Sequence, residues 1–225
     1  MNKKIIITKE SEPIKYLIKK DKKIIILFEL VGELTYCLDK DYYGFIIKTI
    51  IGQMLSNKVG DIITDRLLKL CKTGRIDIVS ISALSFDEIF SIGISRKKTQ
   101  CIIDFTQYYI KNEYKYKKIS KLTDEDLITE ITSIKGLGLW SAKMFLLFVL
   151  GRDNIIPYED TAYQQAFNWY YGLSIFPAKT DVLKLCRKWN PYNSIVARYL
   201  YIALDSNLTK NSFVSYKKIK NKNYT

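Results

Sequence analysis

The feature that most constrains the fold of this chain is a pair of glycines between two helical segments, in the sequence IKGLGLWSAKMFLLFVLG. Gly136 and Gly138 lie two residues apart, which allows the backbone to adopt positive φ values and to approach another molecule closely. The apolar run over residues 139–150 has helical spacing and ends at Gly151, which predicts a helix with a C-terminal glycine cap. The sequence therefore predicts a tight turn that leads into a largely buried helix.

A capping pattern places another helix before this turn. Thr123 and Asp126 have the spacing of an N-terminal capping box, which predicts a short helix that runs through residue 133. Two helices joined in this way form an αα-hairpin, whose glycines can simply end one helix and begin the next. The same turn also directs backbone N–H groups toward one point, which favours an anion such as a DNA phosphate. The turn alone leaves both interpretations open.

Composition narrows the chemistry. The net charge is +13, from 36 Lys and Arg against 23 Asp and Glu, which suits a polyanionic partner but also a solvated basic surface. There is no histidine, so acid–base chemistry depends on carboxylates, Lys, Tyr or Cys. The cysteines are too far apart for a metal site or an iron–sulfur cluster, and we expect buried thiols. They are Cys37, Cys71, Cys101 and Cys186.

The sequence after the hairpin, IIPYEDTAYQQAF, puts Pro157 in a loop and Asp160 at the start of a helix. With the glycine turn, it resembles the helix-hairpin-helix DNA glycosylases, which carry a Gly/Pro-rich loop and a catalytic aspartate. Within them the chain looks most like the 3-methyladenine DNA glycosylase II family, whose patterns are Gly-x-Gly-x-Trp-Thr/Ser-Ala and Pro-x-Asp-Asp. The matching residues are Gly136, Gly138, Trp140, Ser141, Ala142, Pro157, Tyr158, Glu159 and Asp160.

The resemblance implies a mainly α protein with a two-lobed helical DNA glycosylase fold, a helix-hairpin-helix motif and a cleft between the lobes. The pattern of elements predicts an N-terminal extension packed on the helical core, a first helical lobe, a hairpin and catalytic lobe, and a basic tail. Their respective ranges are 1–34, 35–122, 123–206 and 207–225. Residues 112–122 are predicted to be a basic linker. A further helix is predicted over 189–205, with Pro191 at its first position.

Asp160 falls on the catalytic position of the family. An ionised carboxylate there would stabilise the positive charge that develops on the deoxyribose and help to position the attacking water. The alternative is that Asp160 only caps a helix, which Asp does often, and the two roles are compatible. Glu159 is the rival carboxylate.

Further residues are assigned by the same resemblance. An extruded base needs aromatic faces and a polar contact, and electron-rich rings favour a cationic alkylpurine. We expect these from Trp140, Tyr158, Tyr201 and Gln53. Trp140 stands where glycosylase/lyases carry a nucleophilic lysine, so water should be the nucleophile, although Lys143 lies on the next turn.

The segment IIGQMLS resembles the family sequence Ile-x-Gly-Gln-Gln-Leu-Ser, which lies against the DNA minor groove. Met54 and Leu55 are therefore the predicted wedge, with ordinary core residues as the alternative. Ser95 is predicted to cap a helix that opens with basic residues, which suits a phosphate or a solvated basic turn. The expected DNA-binding residues are Lys135, Gly136, Leu137, Gly138, Met54, Leu55, Ser95, Lys97 and Lys98.

The family relationship also suggests a monovalent cation on hairpin carbonyls, here those of Thr132, Ile134 and Leu137, and no other cofactor. The function implied is a monofunctional glycosylase of base excision repair that flips alkylated purines such as 3-methyladenine out of double-stranded DNA and releases them by hydrolysis. The alternatives are a bifunctional or differently specific glycosylase, for oxidised or mismatched bases, and a non-catalytic DNA-binding module. No apolar run has the length of a membrane span, and we expect a cytoplasmic monomer without a membrane partner.

Overall fold

A computed structural model describes residues 4–116 and 118–216, and the chain is mainly helical, as predicted. The helices are α1 (Glu12–Lys20), α2 (Lys23–Val31), α3 (Tyr42–Gly52), α4 (Asn57–Leu70), α5 (Ile78–Ser82), α6 (Phe86–Ser91), α7 (Arg96–Tyr116), α8 (Asp124–Thr132), α9 (Leu139–Phe148), α10 (Thr161–Tyr171), α11 (Lys179–Cys186) and α12 (Asn193–Asp205). The strands are β1 (Lys4–Ile7) and β2 (Leu34–Cys37), which pair antiparallel, and short 3₁₀ helices cover Ile119–Lys121, Arg187–Trp189 and Leu208–Lys210.

The chain forms two compact units, one of residues 39–150 and one that combines residues 1–38 with 151–225. This division differs from the predicted domains, whose boundary at residue 122 falls inside the first unit. The reason is that α8 packs on α9, and α9 packs on α3. The N-terminal helices join the C-terminal ones in the same way, because α2 packs on α12.

The core of the 39–150 unit is built on α3. Asp41 caps this helix by accepting a hydrogen bond from the Gly44 N–H at 2.9 Å. The isoleucines of α3 are completely buried, and Tyr43 stacks on Phe105 of α7 at 5.5 Å between ring centroids. The Tyr43 hydroxyl is paired with the Thr106 hydroxyl at 2.7 Å, so no polar atom of this ring is buried without a partner.

Two predictions in this unit are wrong. Residues 112–122 are not a linker, because α7 continues to Tyr116 with a kink at Asn112, and Tyr116 packs against Tyr109 at 4.2 Å between centroids. The lysines around Tyr116 hid this buried face in the sequence. Helix α9 ends at Phe148 rather than Leu150, and Gly151, with φ 64°, lies beyond the cap residue.

In the second unit, a buried carboxylate joins the N-terminal helices to the C-terminal part of the chain. Oδ2 of Asp21 accepts hydrogen bonds from the Tyr170 hydroxyl at 2.9 Å and from Nε1 of Trp189 at 3.0 Å. Nζ of Lys188 lies 2.8 Å from the same oxygen. These contacts fix the turn between α1 and α2 against α10, so the predicted N-terminal extension is part of a core.

The C-terminal part differs from the predictions at both of its ends. Helix α12 begins at Asn193 instead of residue 189, and Pro191 precedes it after a cis peptide bond. The predicted tail from residue 207 begins with an ordered segment, in which the buried Phe213 contacts Trp169 at 4.9 Å between centroids. Residues 217–225 lie outside the described residues. Of the four cysteines, all free, three are buried as expected and Cys37 is exposed.

Candidate functional site

The hairpin between α8 and α9 has one closely packed glycine with a positive φ and one glycine in open space. Gly136 has φ 92°, and a Cβ placed there would lie 2.6 Å from Sγ of Cys101. Gly138 has φ −113° and caps α9 in an extended conformation, with no heavy atom within 4 Å of an added Cβ. The prediction of positive φ therefore holds for Gly136 and is wrong for Gly138. The lack of a side chain at Gly136 allows close packing against Cys101. At Gly138 the space is open, so another molecule can approach the backbone closely.

At the hairpin, buried side chains contrast with a backbone that a partner can reach. Burial raises the pKa of Cys101 to about 11, so the thiol stays protonated and donates to the Lys135 carbonyl at 3.3 Å. Leu137 is buried, which leaves only its backbone for a partner, whereas Lys135 is exposed. The N-terminus of α9 follows directly, and the N–H groups of a first helical turn have no acceptor within their own helix.

The turn after α3 carries a nearly fully exposed methionine. Met54 has φ 59°, and 97% of its surface is exposed, while Leu55 is 37% exposed. A left-handed conformation costs a residue with a Cβ about 1–2 kcal/mol, so neighbouring contacts must maintain it. The exposure excludes the alternative that Met54 is a core residue. It is the side chain that the wedge prediction requires.

The predicted DNA-binding residues near this turn fall into two groups. Ser95 caps α7 through the Lys98 N–H at 3.3 Å, and both Ser95 and Lys97 are exposed. Lys98 instead directs its Nζ to backbone carbonyls of the turn, and burial lowers its pKa. Nε2 of Gln53 donates to the Gly136 carbonyl at 3.0 Å, so this side chain touches the hairpin.

Asp160 lies in the other unit, at the N-terminus of α10. It is 9% exposed, and its Oδ1 accepts a hydrogen bond from the Tyr163 N–H at 2.8 Å. Burial, followed by the charge of Asp160 and a hydrogen bond with it, raises the pKa of Tyr201 well above its ordinary value. The charge of Asp160 thus acts on the Tyr201 hydroxyl, and the tyrosine stays protonated.

The loop before Asp160 packs against the segment that follows α10. The Tyr158 ring lies 5.1 Å from the Phe176 ring between centroids, and Nζ of Lys179 is 5.9 Å from the Tyr158 centroid. The same Nζ lies 3.6 Å from the carboxylate of Glu159. Both Tyr158 and Glu159 therefore have partners in the segment that follows α10. Trp140, in the first turn of α9, is partly exposed.

A buried cation near Tyr201 was not predicted. Arg198 is 7% exposed, and its guanidinium lies 3.9 Å from the centroid of the Tyr36 ring. Burial lowers the pKa of Arg198, and Tyr201, one turn further along α12, interacts with its charge. The signal in the sequence was a single arginine within the apolar run NSIVARYLYIALD.

Within residues 4–116 and 118–216, no group of three or more His, Cys, Asp and Glu side chains could hold a metal ion. The predicted monovalent cation concerns backbone oxygens and stays a prediction. One of them, the Ile134 carbonyl, accepts a hydrogen bond from the Leu137 N–H at 3.0 Å. The same described part of the chain contains no helix with the length and apolar character to cross a membrane.

Solved structures share this fold. The Schizosaccharomyces pombe 3-methyladenine DNA glycosylase Mag1, in complex with abasic DNA, superposes with a TM-score of 0.76 over 85% of this chain and 95% of that chain, at 24% identity. A DNA-3-methyladenine glycosidase from Bacillus halodurans gives a TM-score of 0.75 over 88% and 92%, at 23% identity. The fold is thus that of helical DNA glycosylases.

Sequence comparison gives the family. The family model described as "HhH-GPD superfamily base excision DNA repair protein" matches residues 47–191 of this chain. The chain therefore belongs to this superfamily. DNA-3-methyladenine glycosylase 1 of S. pombe is 27% identical over 164 residues, which cover 72% of each protein. The alkylbase DNA glycosidase-like protein mag2 of the same organism is 28% identical over 192 residues, 83% of this chain and 90% of that protein. This chain spans only 64% of the length of a third relative, from Bacillus subtilis. The resemblance seen in the motifs is confirmed.

Proposed function

We propose that this chain is a monofunctional DNA glycosylase that flips alkylated purines such as 3-methyladenine out of duplex DNA and releases them by hydrolysis. The observation that carries this proposal is the Asp160 carboxylate, which is buried at the N-terminus of α10 and accepts a hydrogen bond from the Tyr163 N–H. Membership of a base excision repair superfamily, and relatives named for 3-methyladenine or alkylbase release, support the choice of substrate.

The chemistry needs one anion and little acid. An N3- or N7-alkylated purine is cationic, so it leaves as a neutral base with the electrons of the glycosidic bond. The positive charge that develops on the deoxyribose is stabilised by the carboxylate of Asp160. Water, oriented by Asp160, then bonds to the anomeric carbon, and its proton passes to the Asp160 carboxylate, which returns it to solvent. A chain without histidine can perform every step.

Base extrusion costs a few kcal/mol, because stacking and pairing are lost. In the proposed complex, Met54 enters the gap in the base stack and offsets this cost. Lys135, Lys97 and Ser95 are exposed and contact phosphates, and the backbone at Gly138 approaches the strand closely. In this proposal, Trp140, Tyr158 and Tyr201 are the ring faces for the extruded base, and Gln53 is its polar contact.

The proposal also covers the nucleophile, the cofactor, the oligomeric state and the location of the protein. The nucleophile is water, because Trp140 stands where a lyase would carry its lysine. A monovalent cation on the carbonyls of Thr132, Ile134 and Leu137 would strengthen the grip of the hairpin on a phosphate, and no other cofactor takes part. The active form is a monomer on double-stranded DNA, inside the cell.

Chromatography of bases released from methylated double-stranded DNA tests this function. We expect 3-methyladenine in the supernatant, abasic sites in the DNA and no strand breaks until an abasic-site endonuclease is added. Strand nicking without that endonuclease, with a borohydride-trapped adduct that is lost in Lys143→Ala, would mean a lyase. Tight DNA binding without release of any alkylated base would mean a non-catalytic module.

A further inference from the structure

A lysine predicted to contact DNA is instead turned toward the protein backbone. Nζ of Lys98, on the first turn of α7, donates to the Ile51 carbonyl at 2.7 Å and to the Gln53 carbonyl at 2.6 Å. These oxygens belong to the last turn of α3 and to the residue that caps it, where carbonyls lack partners within the helix. One ammonium group therefore closes the end of α3.

The contacts of Lys98 lie next to Met54, whose backbone conformation is unfavourable for a residue with a side chain. Met54 directly follows Gln53 and combines a left-handed backbone with an almost fully exposed side chain. Across this residue, the Leu55 N–H donates a backbone hydrogen bond to the Gly52 carbonyl at 3.0 Å. Solvent alone would not select this conformation, because a methionine prefers negative φ. The clamp by Lys98 is the contact that can select it.

The same turn is connected to the hairpin. Gln53 receives Lys98 on its carbonyl and donates from its side chain to the Gly136 carbonyl at 3.0 Å. A continuous series of hydrogen bonds thus leads from α7 through the turn of Met54 to the glycine hairpin. Since all members lie in the 39–150 unit, this unit itself sets the distance between the wedge and the phosphate-binding turn.

We propose that Lys98 is a positioning residue for base extrusion, which holds Met54 in its projecting conformation, and that it is not a phosphate ligand. The proposal rests on the proposed function, because it assigns Met54 the role of wedge. It also gives the two lysines at the start of α7 different roles. Lys97 is exposed and available to DNA, whereas Lys98 is partly buried and donates hydrogen bonds to backbone carbonyls.

Two measurements on Lys98→Met separate these roles. The salt dependence of DNA binding counts phosphate contacts, since each lost contact lowers the slope of log K against log salt by about 0.9. Base extrusion is read from the fluorescence of 2-aminopurine beside the lesion, at saturating enzyme and in an Asp160→Asn background that prevents turnover. We expect an unchanged salt slope and a loss of about tenfold in the extruded fraction for Lys98→Met.

Matched variants complete the design. Lys97→Met should lower the salt slope, as a phosphate ligand would, and Lys69→Met, exposed on α4, should change neither quantity. Lys98→Arg keeps the charge but replaces a compact ammonium with a planar fork that does not fit between two carbonyls. It should therefore lose extrusion severalfold with an unchanged slope, and it decides the question if Lys98→Met does not fold by circular dichroism.

The proposal is overturned if Lys98→Met lowers the salt slope and leaves extrusion intact, or if Lys98→Arg behaves as the parent protein. Failure of the proposed function would look different. In that case the parent protein with Asp160 intact would release no base from methylated DNA, whatever residue stands at position 98.

Discussion

The turn of Met54 with the glycine hairpin and the pair formed by Asp160 and Tyr201 solve opposite physical problems. In the first region, an apolar side chain is held out in solvent, and the contacts that hold it are made to backbone carbonyls. In the second, a carboxylate is buried and accepts a hydrogen bond from a backbone N–H. A surface that grips a DNA strand needs projection and open backbone, whereas a group that stabilises a developing charge needs restricted access to water. The two regions should therefore respond differently to mutation.

Asp160→Asn gives the largest expected effect and the sharpest test of this contrast. Removing the charge should lower single-turnover release of 3-methyladenine by about 100- to 1,000-fold, the range for loss of one preorganised electrostatic group. Asn can still cap α10, so stability should change little. DNA affinity, measured by fluorescence anisotropy, should stay within about twofold, because phosphate contacts dominate it. Glu159→Gln is the matched control and should keep most of the release.

Gly136→Ala should lower the stability of the folded protein rather than act directly on the catalytic step. The new Cβ would lie 2.6 Å from Sγ of Cys101 at φ 92°, and strain and overpacking together cost about 2–4 kcal/mol of unfolding free energy. Gly138→Ala has open space and should unfold at nearly the parental denaturant concentration, yet bind DNA less tightly at every sequence. Equal destabilisation of both variants would contradict the division between a packed and an open glycine.

Met54→Gly should separate stability from extrusion. Glycine relieves the left-handed backbone but loses more entropy on folding, so the unfolding free energy should rise by about 0.5–1 kcal/mol. The wedge is lost at the same time, so the extruded fraction of a 2-aminopurine probe should fall severalfold. Urea unfolding and fluorescence together check this. A variant that is both less stable and fully able to extrude would break the assignment.

Tyr201→Phe is expected to have the smallest effect. Its hydroxyl stays protonated, because burial and Asp160 raise the pKa of Tyr201 well above its ordinary value. Loss of the polar interaction between this hydroxyl and Asp160, about 0.5–1.5 kcal/mol, should slow base release by about twofold to tenfold. Release measured from pH 7 to pH 9 should show no ionisation of this tyrosine in the parent protein. A loss as large as that of Asp160→Asn would make the tyrosine an essential partner.

The sequence determined the local features, because the physics behind them acts over a few residues. Periodic apolar residues gave the helices, glycine spacing gave the hairpin, and Asp160 at a helix start is a cap wherever the chain folds. The mainly helical fold and the superfamily followed from these motifs in their order.

Tertiary structure decided which partners the polar and flexible-looking residues take. The sequence places Lys98 in a basic run, yet only the packing of α7 beside the end of α3 brings its ammonium to two carbonyls. Likewise, the lysine-rich segments near residues 116 and 213 appeared to be linker and tail. Tyr116, however, is buried against Tyr109 across the kink in α7, and Phe213 is buried against Trp169 of the distant helix α10. Burial depends on neighbours far along the chain, and a single sequence does not contain their distances.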